Sequence, residues 1–125
     1  MFSNLDVFST AMSMARHAGH KQALSAQNIA NADTPGYRAR DLPDFATTVQ
    51  NRLMDQRATR EAHMNGSRGS LVVAETRREA QDPNGNTVSL ELEMIEAVEA
   101  KRQNDRAMAI YRNAMTLLRT AVSRT

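Results

Sequence analysis

The sequence predicts an all-α fold: two long terminal helices in a coiled-coil-like hairpin, with a short helix and an irregular, partly β middle segment. Three observations carry that expectation. Apolar and small residues recur about every 3.5 residues at both ends of the chain. Two turn-forming runs, Asn31-Ala32-Asp33-Thr34-Pro35-Gly36-Tyr37 and Asp82-Pro83-Asn84-Gly85-Asn86, close the first periodic stretch and open the second. The residues between them are highly charged and poor in apolar side chains. At 125 residues the chain is one domain's worth of sequence. Residues 1–37 and 88–125 are expected to form one discontinuous helical core, with 38–87 as a connecting segment.

In the first helix the stripe is Leu5, Phe8, Met12, Ala15, Gly19, Ala26 and Ile29, with Gln22 at the position the longer step skips. Ser3 or Asn4 is a suitable cap, and a helix over residues 4–32 would run roughly 43 Å. Gly19 costs about 1 kcal/mol against alanine. It is either a tolerated weak point or a place where another helix comes close.

The stop is chemically explicit. Asn31 suits a left-handed position just past the last helical residue. Thr34, lying before Pro35, is pushed out of the α region. Thr34-Pro35-Gly36-Tyr37 has the composition of a type II turn, in which proline presets φ and glycine accepts the positive φ of the third position. Asn28, just upstream, belongs to the same run.

The middle is less regular. Pro43-Asp44 opens a short helix with Phe45, Val49 and Leu53 on one face. Residues 65–70 read as loop, and Leu71-Val72-Val73-Ala74 as a brief strand with no obvious mate. Mobility in the free monomer is expected over 55–87.

The last helix should run from near Ser89 to about Ser123, roughly 50 Å. Its stripe is Leu90, Met94, Val98, a polar interval containing Lys101 and Asp105, then Met108, Tyr111, Met115, Leu118 and Val122. Glu91, Glu93, Glu96 and Glu99 come first, and Arg112, Arg119 and Arg124 last, an order that complements the helix dipole. Helices of this kind gain stability mainly by packing their apolar face. Each therefore needs a partner: the other helix, other subunits, or both.

Composition narrows the function classes. The net charge of +2 gives no argument for nucleic acid. With no cysteine, a disulfide frame and a thiolate metal site are both ruled out. No stretch reads as a secretory signal or a membrane span. His17 and His20 lack a carboxylate one turn away and read as solvated surface histidines. Arg77-Arg78, surrounded by Glu75, Glu79 and Asp82, reads as a solvated loop. The carboxylates are scattered, and there is no nucleophile elbow or phosphate-binding glycine loop. Neither catalysis nor a cofactor is expected.

One longer pattern remains. Asn28-Ile29-Ala30-Asn31-Ala32-Asp33-Thr34-Pro35-Gly36-Tyr37 resembles the signature closing the first helix of the rod and hook axial proteins of the bacterial flagellum. The continuation Arg38-Ala39-Arg40-Asp41-Leu42-Pro43-Asp44-Phe45 is similar to the proximal-rod members of that family. So are Asp82-Pro83-Asn84-Gly85-Asn86-Thr87-Val88-Ser89-Leu90, the following Glu93-Met94, and the ending Leu118-Arg119-Thr120-Ala121-Val122. The resemblance covers both ends and the total length; residues 47–80 contribute little.

It implies a structural subunit of the proximal rod that assembles helically with copies of itself and other rod proteins to transmit torque. It also implies a rod–MS-ring adaptor as neighbour, and delivery through the flagellar type III export apparatus without a cleaved signal. Leu5, Phe8, Met12 and Ile29 would then form one assembly seam. Met94, Val98, Met108, Tyr111, Met115, Leu118 and Val122 would form the other. Thr34, Pro35, Gly36 and Tyr37 would set the exit of the chain from the core. The polar interval 101–105 is less apolar than the family usually shows. A competing reading, from the residues alone, is a cytoplasmic helical adaptor or secretion chaperone.

Overall fold

A computed structural model describes residues 2–54, 74–77 and 80–123, with side chains from residue 6 to 50 and in the later two segments. The element order is α1 (Phe2–Ala30), β1 (Arg40–Asp41), α2 (Phe45–Met54), β2 (Glu75–Thr76) and α3 (Leu90–Val122). The expected loop over 65–70, the mobility over 55–73 and Leu71, Val72 and Val73 lie outside the described residues. So do the side chains of Leu5 and Leu53.

α1 and α3 pack antiparallel. Ser25 Oγ donates to the Glu93 carbonyl at 2.9 Å, Asn104 reaches the Ala15 carbonyl at 3.5 Å, and the Phe8 and Tyr111 rings meet edge to face at 5.2 Å. Residue numbers rise on one helix as they fall on the other. The seam keeps the 3.5-residue period of a coiled coil, but it lies one residue from the apolar stripe read in the sequence. Ala11, Ala18, Ser25 and Asn28 are buried on α1, and Glu93, Ala100 and Ala107 on α3. Met12, Ile29, Met94, Val98, Met108 and Val122 are exposed, while Phe8, Tyr111, Met115 and Leu118 are half-buried. One residue turns a helix by about 100°, so the small residues, not the large ones, face the partner helix.

The ends of α3 follow from local chemistry. Ser89 is its N-cap, accepting from the Leu92 amide, with Glu91 and Glu93 in the first turn and Arg119 in the last. α2 opens after Pro43, and Thr48 closes its first turn on the Asp44 carbonyl. The strand pair, Arg40 opposite Thr76 and Asp41 opposite Glu75, is antiparallel and only two residues long. Such a short charged strand leaves no alternating pattern in the sequence.

Three further expectations change. Asn31 does not adopt the left-handed region: among the described residues only Gly36 and Gly85 have positive φ. The α1 terminus instead tightens into i→i+3 bonds, Asn31 N–H to Asn28 O and Ala32 N–H to Ile29 O. Gly19 has open space where a Cβ would stand, so no described helix of this chain approaches it closely. His17 is buried, not solvated: its Nε2 donates to the Pro43 carbonyl at 2.8 Å and its ring lies 5.6 Å from Phe45.

Candidate assembly site

The signature run at the end of α1 is the organising centre of a polar knot. Asn28 is 1% exposed. Its amide nitrogen donates to the Arg40 carbonyl at 2.8 Å and to Glu93 Oε1 at 3.0 Å. Its oxygen accepts from the Tyr37 hydroxyl and the Arg40 amide, each at 3.1 Å. Every donor and acceptor of this side chain is therefore used, and one residue joins α1, the turn, β1 and α3.

The turn forms as its composition predicts. Tyr37 N–H bonds back to Thr34 O at 3.3 Å, and Gly36 has φ of 73°. It docks on the second turn, where Gly85 N–H reaches Asp82 O at 2.8 Å and φ at Gly85 is 83°. Gly36 N–H donates to Asn84 O at 3.0 Å, and a Cβ on Gly85 would stand 3.3 Å from Gly36 Cα. Glycine is required at Gly85 for both conformation and clearance.

Asn86 then caps the end of α1 from outside. Its amide nitrogen reaches the carbonyls of Asn31, Ala32 and Thr34 at 2.9, 2.7 and 2.9 Å, while its oxygen accepts from Val88 N–H at 2.7 Å. These carbonyls lie just past Ala30, where the helix supplies no further amides; Asn31 O and Thr34 O also accept from Thr34 N–H and Tyr37 N–H within the turn. Thr87 adds a bridge, donating N–H to Tyr37 O and accepting from Ala39 N–H at 2.9 Å.

Charge completes the knot. Glu93 is 1% exposed and its Oε1 also accepts from Arg77 Nη1 at 2.9 Å, while Arg77 Nη2 pairs with Asp41 at 3.0 Å. Glu93 Oε2 is buried with no hydrogen-bond partner among the described residues, so the carboxylate is held through Oε1. Lys21 pairs with Glu96 at 2.7 Å and lies 4.0 Å from Asp41. Burial works to lower the Lys21 pKa, but the hydrogen bond to Glu96 and the charges of Asp41, Glu96 and Asp44 outweigh it and leave it raised. Arg77 is thus part of the interior and not a solvated loop residue.

Sequence reasoning found Asn28, Asn31, Thr34, Pro35, Gly36 and Tyr37, and the structure brings all six to this end of the hairpin. It missed Asn86, Arg77 and Glu93. A signal existed for Glu93, which stands in line with Ala100 and Ala107 at intervals of seven. None existed for Arg77.

The apolar stripes lie beside the seam. Phe8 and Ala15 of the α1 stripe meet Tyr111 and Asn104 across it, so the stripes of both helices open on one side of the hairpin. The opposite side is covered where His17 meets Pro43 and Phe45. Met94 is 65% exposed and Val98 52% on α3, and Met12 46% on α1, so large apolar side chains stand in solvent on both adjoining helices. Among the described residues no group of acidic or histidine side chains is arranged to hold a metal ion.

No family model matches the chain. A flagellar basal body rod protein FlgB of Agrobacterium fabrum (strain C58 / ATCC 33970) is 28% identical over 96% of this chain and 95% of its own length. A second FlgB, from Yersinia ruckeri, is 42% identical over 46% of this chain and 36% of that protein. The chain is thus similar to FlgB flagellar basal body rod proteins, to one of them along nearly its whole length. Within this FlgB-like chain the signature turn ties the end of α1 to the start of α3.

Proposed function

We propose that the chain polymerises through α1 and α3 with copies of itself and with other rod proteins, forming the proximal segment of the flagellar rod. Its similarity to FlgB basal body rod proteins supports a structural subunit of the rod and not an enzyme. The observation that carries the assembly mode is the apolar face left open on both long helices, with Met12 and Ile29 on one and Met94, Val98 and Met108 on the other. A helical hairpin that seals its own seam with alanines keeps its large side chains for contacts outside itself. Contacts of this kind, repeated head to tail without closing a ring, generate a filament.

In this reading residues 1–37 and 88–125 are the axial core and 38–87 connect them. The assembly seams are Leu5, Phe8, Met12 and Ile29 on α1 and Met94, Val98, Met108, Tyr111, Met115, Leu118 and Val122 on α3. Thr34, Pro35, Gly36 and Tyr37 fix how the chain leaves the core. Torque passes along the packed helices. An adaptor joins the subunit to the MS ring, and the flagellar type III apparatus delivers it. No helix among the described residues is long and apolar enough to cross a membrane.

Electron microscopy of basal bodies from a strain deleted for this chain, with a complemented control, tests the reading. Rings without a rod, restored by complementation, are the expected result. Intact rods and hooks in the deletion strain would remove it.

A further inference from the structure

The seam between α1 and α3 has a property that its small residues create. On α1, Ala11, Ala18 and Ser25 recur at intervals of seven; on α3, Ala100, Ala107 and Ala114 do the same. Sliding one helix past the other by a heptad, about 10 Å, sets alanine or serine against alanine again. In the direction that carries Phe8 from Tyr111 toward Leu118 even the aromatic contact at the far end is replaced by an apolar one, while the opposite slide brings Phe8 to Asn104. Packing of the seam therefore discriminates weakly between registers.

What does not repeat is polar. Asn28 bonds Glu93 at 3.0 Å, Glu93 takes Arg77 at 2.9 Å, Arg77 takes Asp41 at 3.0 Å, and Ser25 holds the Glu93 carbonyl at 2.9 Å. One heptad from Glu93 stands Ala100 on one side and Asn86, committed to capping α1, on the other. A slipped hairpin would carry the Glu93 carboxylate away from both Asn28 and Arg77.

We propose that the buried Asn28–Glu93–Arg77 cluster is a register lock, which sets the axial offset of α3 against α1 and so aligns their two apolar stripes into a single face for the neighbouring subunit. The importance of that face rests on the rod reading; the setting of the register does not. A buried ion pair is weak evidence for stability, since desolvation cancels much of the attraction, and fixing register is its best-attested use. Asn28, Glu93 and Arg77 are positioning residues, acting on assembly through the placement of Met12, Ile29, Met94 and Val98.

The chain has no cysteine, so introduced pairs report register cleanly. Ala15→Cys with Asn104→Cys marks the native offset. Ala15→Cys with Ala97→Cys, or with Tyr111→Cys, marks a slip of one heptad in either direction. Each pair is treated with a short thiol cross-linker in the full-length chain in solution. In the otherwise native chain the native pair should cross-link about tenfold more than either slipped pair. In the triple variant Asn28→Leu, Arg77→Met, Glu93→Met the preference should fall to within about twofold while helical circular dichroism persists. Glu93→Gln, which can still accept from Asn28 and Arg77, should keep the native preference.

Native-only cross-linking in the triple variant would overturn the proposal, as would no preference in the native background. Loss of helical signal together with all cross-links would assign the cluster to stability and overturn it as well. Because the readout is made on the chain alone, it is independent of whether the deletion strain lacks rods.

Discussion

The two ends of the hairpin are built on opposite principles. At the knot end, Asn28, Asn86, Glu93 and Arg77 are pinned by directional bonds that no slid or rotated arrangement reproduces. At the far end the helices meet through Ala11, Ala107 and the Phe8–Tyr111 pair, with Leu117 70% exposed and Val122 73%. Apolar packing is non-directional and roughly proportional to area, so small residues provide little of it. Hydrogen bonds and buried charges add modest net stability when satisfied and exact a large penalty when broken. The knot end is therefore specified internally. The far end leaves its apolar surface to be covered by something else.

That contrast can be broken most sharply at Arg77. Arg77→Met leaves Glu93 buried without its cation, and the expected loss is about 3–5 kcal/mol, read as a lowered Tm or denaturant midpoint of the isolated chain. Phe8→Ala at the far end should cost less than half as much. Equal losses would mean that the two ends are not differently built.

A smaller effect is expected at the paired turns. Gly85→Val forces a β-branched residue to φ near 83° and places its Cβ against Gly36 Cα. The expected cost is about 2–3 kcal/mol. Gly36→Val suffers the backbone strain at φ 73° but meets nothing within 4 Å, so it should cost about 1–2 kcal/mol. The order of the two variants, measured by thermal melting, separates clearance from conformation. Gly36→Val melting below Gly85→Val would contradict it.

Much of this arrangement is legible in the sequence. Pro35 after Thr34 stops α1, Pro43-Asp44 opens α2, and Ser89 begins α3, because each is a local backbone constraint that distant residues do not alter. The rotation of the seam is not legible. Met12 and Ala11 lie on adjacent lines of the same 3.5-residue period, and hydrophobicity favours the line that carries Met12. The fold buries the Ala11 line because only small side chains let these backbones come close. Asn31 departs from expectation for a related reason. A left-handed cap there would satisfy carbonyls within the helix, whereas the chain instead tightens at Asn31 and is held by Asn86, 55 residues away, which bonds the carbonyls just past the helix end. Arg77 and Glu93 are invisible as a pair because a buried ion pair between separated segments leaves no periodic trace.

Alkaline pH offers a milder probe of the knot. The pKa of Lys21 is raised above 10.5 in the folded chain, so the folded state holds that proton more tightly than the unfolded chain. Its contribution is complete below 10.5 and is lost as pH rises through the folded value. Stability should therefore fall more steeply above about pH 10.5 in the native chain than in Lys21→Met, when both are compared by denaturant melting. Parallel curves would mean that the Lys21–Glu96 pair adds nothing.

The smallest effect on the isolated chain, and the most informative, is expected on the open flank. Met94→Asp and Val98→Asp replace side chains that are mostly in solvent, so hairpin stability should change by no more than about 0.5 kcal/mol. If that flank is where neighbouring subunits pack, each variant buries an unpaired carboxylate on assembly, and rods should be absent from basal bodies although the chain is folded. A variant that melts early would put the flank inside the hairpin's own packing. One that melts normally and still builds rods would place the intersubunit contact elsewhere, and the exposed apolar face would lose its explanation. Only the combination of an undisturbed hairpin and a missing rod fits a chain that spends its alanines on itself and its methionines on its neighbours.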